Sequence, residues 1–168
     1  MTPRLLGIDF TSAPRRAKPI TVACGHRAGP RAVLARLERC ADWPGFEALL
    51  ARPGPWLGAF DFPFGLPREA VVDLGWPINW ASLVEHCVQL GKPAFRAALD
   101  AYRESRPAGR RYAHRATDLP AGSHSPLKLV NPPVGLMFLE GAPRLLAAGL
   151  HMPGVHDGDP NRIAIEVC

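Results

Sequence analysis

The chain has few cysteines and no pair of them at CxxC spacing: Cys24, Cys40, Cys87 and Cys168 are scattered across 168 residues. Zinc ribbons need closely spaced ligand pairs and disulfide frameworks need a denser set, so neither is expected here, and the cysteines read as free thiols. There is no run of about 18 uncharged apolar residues, the length that a membrane-spanning helix requires. The apolar stretch near the N-terminus is bounded by Arg4 and Asp9 and is too short for a signal-peptide core. The expected compartment is therefore the cytoplasm, with no membrane partner. Repeats and low-complexity tracts are also missing, and nothing marks a second domain.

What is present is ordinary globular composition, with 47% hydrophobic and 21% charged residues. Residues 1–168 are expected to form one domain, long enough to bury roughly 70% of the surface that the unfolded chain exposes. The 19 prolines and 16 glycines point to many turns and loops.

Hydrophobic patterning predicts an α/β fold. Residues 4–10 and 18–25 read as two strands of a hairpin, and 31–40 (RAVLARLERC), compatible with strand or helix, is read as a third strand. Asp42 and Pro44 mark a helix start, with Phe46, Leu49 and Leu50 on its apolar face and ArgProGlyPro at 52–55 closing it. A strand at 56–61 follows, then a short helix from Pro67 to Leu74. Trp80, Leu83, Val84, Cys87 and Leu90 have helical spacing behind a cap at Asn79, and Phe95, Leu99 and Tyr102 mark a further helix. Residues 105–133 form a long irregular connection of the kind found near function or left mobile. A helix at 134–149, limited or kinked by Gly141 and Pro143, precedes a loop (HMPGVHDGDPN) and a last strand.

Three acids stand at the ends of short apolar runs: Asp9 in LLGIDF, Asp61 in WLGAFDFPFG and Glu166 in RIAIEV. Such runs, rich in Ile, Leu, Val and Phe, read as buried strands. A carboxylate at a core margin is costly unless paired, hydrogen-bonded or bound to a cation, and converging carboxylates repel one another. If the strand ends lie together, Mg²⁺ or Mn²⁺ is the simplest resolution, because hard cations prefer oxygen ligands.

The net charge of +5 is unevenly placed. Between Tyr102 and Lys128, six basic residues (Arg103, Arg106, Arg110, Arg111, Arg115 and Lys128) face two acids, Glu104 and Asp118. This segment could hold a phosphate backbone, with Tyr112 and His114 interleaved to stack or hydrogen-bond. A basic solvated helix end and loop is the competing reading.

Five motifs in order resemble a bacterial family of uncharacterised proteins predicted to be ribonuclease H-like nucleases: GIDFTSAP, GAFDFPFGLP, HRATD at 114–118, SPLKLVNPPVG at 125–135 and IAIEV. GIDF alone also opens actin-like ATPases, so the ordered set carries the resemblance, which spans nearly the whole chain. It implies a ribonuclease H-like mixed sheet with flanking helices and a metal-dependent nuclease acting on phosphodiesters. Asp9, Asp61 and Glu166 would be the ligands of two Mg²⁺ or Mn²⁺ ions, with Asp9 bridging them. Arg115, Lys128, Asn131, Arg110 and Arg111 would bind substrate, and His114 would assist proton transfer. Members of that family usually continue past the last glutamate with a Tyr-Pro-Gly turn and further helices, so this chain resembles a C-terminally truncated member.

Each residue also has a simpler role to weigh. Asp9 beside Thr11 and Ser12 suits a local hydrogen-bonded turn. Asp61, among Phe60, Phe62 and Phe64, would need several backbone N–H partners, and Glu166 could be a solvated strand end. His151, His156, Asp157 and Asp159 suit a polar surface loop better than a metal cluster. Arg115, Thr117, Asp118, Lys128 and Asn131 could knit a long loop together. The alternatives to a nuclease are a non-catalytic nucleic-acid or protein binding domain, or a nucleotide phosphotransferase on the actin-like fold; no Gly-rich adenosine-binding signature supports the last.

Overall fold

A computed structural model describes residues 2–167; the reading of Cys168 as a free thiol falls outside them. The chain divides into two compact units, one formed by residues 2–61 and 144–167 and the other by residues 62–143.

The first unit is built on a six-stranded mixed sheet. β1 (Arg4–Asp9), β2 (Ile20–Ala28) and β3 (Arg31–Cys40) form an antiparallel meander, and β4 (Trp56–Phe60) lies parallel to β1 on its other side. The helix between β3 and β4, α1 (Trp43–Leu50), starts where Asp42 accepts a hydrogen bond from the Gly45 N–H at 2.9 Å, with Pro44 in its first turn. Two further strands near the C-terminus, β5 (Leu150–His151) and β6 (Asp159–Glu166), complete the order β3-β2-β1-β4-β6-β5, in which β4, β6 and β5 are parallel neighbours.

Alternation gives the sheet two unlike faces. Leu6, Ile8, Ile20, Val22, Trp56, Phe60 and Ala164 are buried together with Phe46, Leu49 and Leu50 of α1. The register aligns Leu37, Ala23, Gly7, Ala59 and Ile165 in one row on the other face. Small residues on β2, β1 and β4 leave this face shallow, while Leu37 and Ile165 at its sides remain exposed.

The second unit is helical. α2 (Arg68–Asp73) precedes α3 (Trp80–Ser105), which begins where Asn79 accepts from the Ser82 N–H at 3.1 Å. Gly91, at φ 76°, breaks α3 internally just before Pro93; the two expected helices are thus successive parts of one interrupted element. A left-handed φ is cheap only for glycine. Phe62, Phe64, Leu83, Val84, Cys87, Phe95, Leu99, Leu127 and Phe138 are buried here.

The connection after α3 holds one short helix, α4 (Asp118–Ala121), before α5 (Val134–Ala147). Its order comes from buried polar groups that bond to the chain around them: Ser125 Oγ donates to the Ala113 carbonyl at 2.5 Å and accepts from Leu127 N–H at 3.1 Å. No helix among the described residues is long and apolar enough to cross a membrane.

Candidate carboxylate site

β1 and β4 run side by side with Ile8 opposite Phe60. One residue further along each strand stand Asp9 and Asp61, which parallel register and alternation put on the same face, the face of Gly7 and Ala59. The ladder continues to this point, since Asp61 N–H donates to the Ile8 carbonyl at 3.3 Å. Asp61 Oδ1 in turn accepts from Phe10 N–H at 2.7 Å, which fixes the carboxyl against the end of β1.

The Asp9 carboxyl lies near enough to act on Asp61, and Asp61 holds its proton unusually tightly. Burial is the largest reason; the Phe10 N–H opposes it, and the charge of Asp9 adds to it, leaving the group at about 6 instead of 3.8. Asp61 is nevertheless solvent-exposed as a residue, so a cation or a substrate oxygen can approach the pair from water.

Glu166 stands differently. It ends β6 directly opposite Phe60, and Val167 N–H extends that ladder to the Phe60 carbonyl at 2.9 Å. Side chains aligned across parallel strands share a face, so Glu166 belongs to the Ile8 and Phe60 side of the sheet, and the Asp pair to the opposite side. Among the described residues no group of three or more His, Cys, Asp or Glu is arranged to hold a metal ion.

Thr11, buried just past β1, uses its hydroxyl to accept from the Ala13 N–H at 3.4 Å. The local turn anticipated after Asp9 is therefore built by Thr11.

The remaining sequence candidates, His114, Arg115, Lys128, Asn131, Arg110 and Arg111, all lie in the second unit. Arg115 is committed there: its Nε donates to Asp118 Oδ1 at 2.9 Å, its NH2 pairs with the same oxygen at 2.8 Å, and its backbone N–H donates to Oδ2 at 2.7 Å. Asp118 is 1% exposed, so this is a loop-knitting ion pair beneath the surface. His114 Nδ1 lies 3.9 Å from the same carboxylate. Lys128 is only partly exposed and supplies its backbone, N–H to the Ser125 carbonyl at 3.0 Å and carbonyl to the Gly135 N–H at 2.8 Å. Asn131 is exposed with φ 48°, a left-handed conformation that Asn tolerates better than most residues. Arg110 and Arg111 are exposed.

The His- and Asp-rich stretch that leads into β6 makes contacts within itself and with the start of that strand. His151 Nδ1 lies 3.8 Å from Asp157 Oδ1, and Asp159 accepts from Arg162 Nε at 2.7 Å and from Asn161 N–H at 2.9 Å.

Comparison with family models, with curated proteins and with solved structures finds no match to this chain.

Proposed function

We propose that the chain is a divalent-metal-dependent phosphodiester hydrolase, a nuclease on a ribonuclease H-like sheet, with Asp9 and Asp61 as its metal-binding carboxylates. The observation that carries this reading is the convergence of two carboxyl groups on one face at the ends of adjacent parallel strands. The ordered motifs support it, as does an antiparallel meander followed by parallel strands that deliver acids at their carboxyl ends.

The donor set fits a hard cation in one respect. Two oxygen-donor side chains beside open solvent suit Mg²⁺ or Mn²⁺, which need one or two carboxylates when substrate phosphates and waters complete the shell. The opposite facing of Glu166 narrows the protein's own ligands to the Asp pair. A bound cation would supply charge neutralisation at a phosphodiester and a more acidic water. Asp61, held by the Phe10 N–H, orients the pair, and Asp9 supplies a second exposed strand-end carboxylate.

A non-catalytic binding domain is the second reading, favoured by the same facing of Glu166, which leaves two protein carboxylates where three were expected. Calorimetric titration with Mn²⁺ separates the two. Wild type should bind, and Asp61→Asn should lose binding while circular dichroism shows it folded; hydrolysis of a labelled oligonucleotide should then fall at least about a hundredfold. Equal Mn²⁺ binding by both proteins, or by neither, rejects the metal site.

A further inference from the structure

The second unit contains a concavity of about 570 Å³ that the carboxylate reading does not use. Its lining brings Arg106, Arg110, Arg111, Tyr112 and His114 together with a single acid, Glu69. The volume is within the range of ligand pockets.

These groups differ in what they have left to offer. Arg106 NH1 donates to Glu69 Oε1 at 2.8 Å and to the Tyr102 hydroxyl at 2.7 Å, and Arg106 Nε donates to the Arg110 carbonyl at 2.6 Å. The acid is thereby neutralised, and the turn carrying Arg110 is pinned to α3. Tyr112 is also held: Arg103 NH1 donates to its hydroxyl at 2.8 Å and the guanidinium carbon lies 5.2 Å from the ring centroid. The residue nevertheless remains 41% exposed.

The two neighbouring arginines are uncommitted by comparison. The Arg110 side chain has no hydrogen bond or ion pair among the described residues. Arg111 meets Glu104 only at 3.6 Å, with both side chains more than half exposed, an arrangement that contributes little and exchanges readily. A guanidinium presents a planar fork that matches phosphate oxygens, and an exposed aromatic face next to such forks is the arrangement on which bases of an unpaired strand stack.

We infer that this concavity is a metal-independent binding site for single-stranded nucleic acid, in which Arg110 and Arg111 hold backbone phosphates and a base stacks on Tyr112. Arg106 and Arg103 act as its scaffold, and His114 at the rim supplies a ring nitrogen for hydrogen bonding. The site stands on the second unit alone and does not rest on the cation reading of Asp9 and Asp61.

Fluorescence anisotropy with a labelled single-stranded oligonucleotide, in EDTA, tests it without any hydrolysis. Wild type and Asp61→Asn should bind alike. The double variant Arg110→Ala/Arg111→Ala should bind at least about tenfold more weakly and lose about 1.4 from the log–log salt slope. Tyr112→Ala should weaken the oligonucleotide about fivefold or more while leaving an abasic strand of the same length unaffected. The charge-reversed Arg110→Glu/Arg111→Glu provides an independent variant, with folding checked by circular dichroism. Absence of wild-type binding, equal binding by the arginine variants, loss of binding in Asp61→Asn, or equal affinity for intact and abasic strands would each overturn the assignment.

Discussion

Asp9 and Asp61 end neighbouring parallel strands one step beyond the paired residues Ile8 and Phe60, near enough that the charge of Asp9 raises the pKa of Asp61. Two like charges this close are tolerated when one group keeps a proton or a cation lies between them. In metal-free protein the first solution applies below about pH 6, and it has a measurable sign. Folded protein holds the Asp61 proton up to about 6, whereas the unfolded chain releases it near 3.8. The folded state therefore binds more protons in that window, and stability falls as pH rises through it. Asp61→Asn removes the penalty. In EDTA at about pH 7 the variant should be more stable than wild type by on the order of 1 kcal/mol, a value discounted because solvent reaches the residue. The difference should close below about pH 4. Urea unfolding of both proteins across this range checks it, and a variant less stable at every pH would reject the coupling.

Glu38 has the opposite sign. It accepts from Arg52 at 2.7 and 3.0 Å and from Arg36 at 2.8 Å, and these contacts, with Arg52 foremost, hold it at about 2, below its ordinary 4.5. Its contribution is present above the unfolded pKa and is lost as pH falls toward about 2. Because Arg36 and Arg52 are 59% and 37% exposed, Glu38→Gln should cost only about 1 kcal/mol near neutral pH. Thermal melts should show that difference shrinking steadily on acidification.

Local signals carried much of the fold. The alternation of β1 and β2, the Asp42 and Asn79 caps, and the apolar run into Asp61 all appear where short-range physics puts them. β5 was not legible because two residues are too few to show a period, and the start of β6 lay inside a stretch rich in Gly, Pro and charge. That Asp9 and Asp61 end strands was readable, since a strand-end position is a local property; that the two ends lie side by side comes from the parallel pairing of β1 and β4. The facing of Glu166 was not: it depends on the register between β4 and β6, whose connection by way of the second unit spans about a hundred residues. A loop-knitting role for Arg115 and Asp118 was among the sequence readings, but the depth of Asp118 was not legible, because no periodicity distinguishes a buried loop acid from a solvated one.

Gly141 in α5 packs without a side chain against Phe62, and a Cβ there would overlap the ring. Phe62 is 2% exposed and has little room to withdraw. Gly141→Ala should therefore destabilise by about 1–3 kcal/mol, despite the better helix propensity of alanine. Adding Phe62→Leu to that variant should cost less than Phe62→Leu costs in wild type, because the smaller side chain relieves the overlap. A double-mutant cycle by chemical denaturation measures the coupling, and strict additivity would place the strain elsewhere.

Tyr102 anchors the scaffold of the arginine-lined concavity. Its hydroxyl donates to Asp73 Oδ2 at 2.7 Å and accepts from Arg106 NH1 at 2.7 Å, and burial, followed by the Asp73 hydrogen bond, pushes the phenol up to about 12 from 10. Folded protein thus keeps this proton after the unfolded chain has lost it, so stability falls as pH rises from about 10 to about 12. Only two tyrosines are present, so in Tyr112→Phe a spectrophotometric titration reads Tyr102 alone. Ionisation should centre near 12, or coincide with alkaline unfolding if the fold gives way first. Tyr102→Phe removes the donor to Asp73 and one acceptor of Arg106, and should cost about 1 kcal/mol at neutral pH. Its effect on oligonucleotide affinity should stay smaller than that of Arg110→Ala/Arg111→Ala, since Glu69 and the Arg110 carbonyl still fix Arg106. Ionisation near 10 in the folded protein would mean that the hydroxyl is open to water and does not brace Arg106.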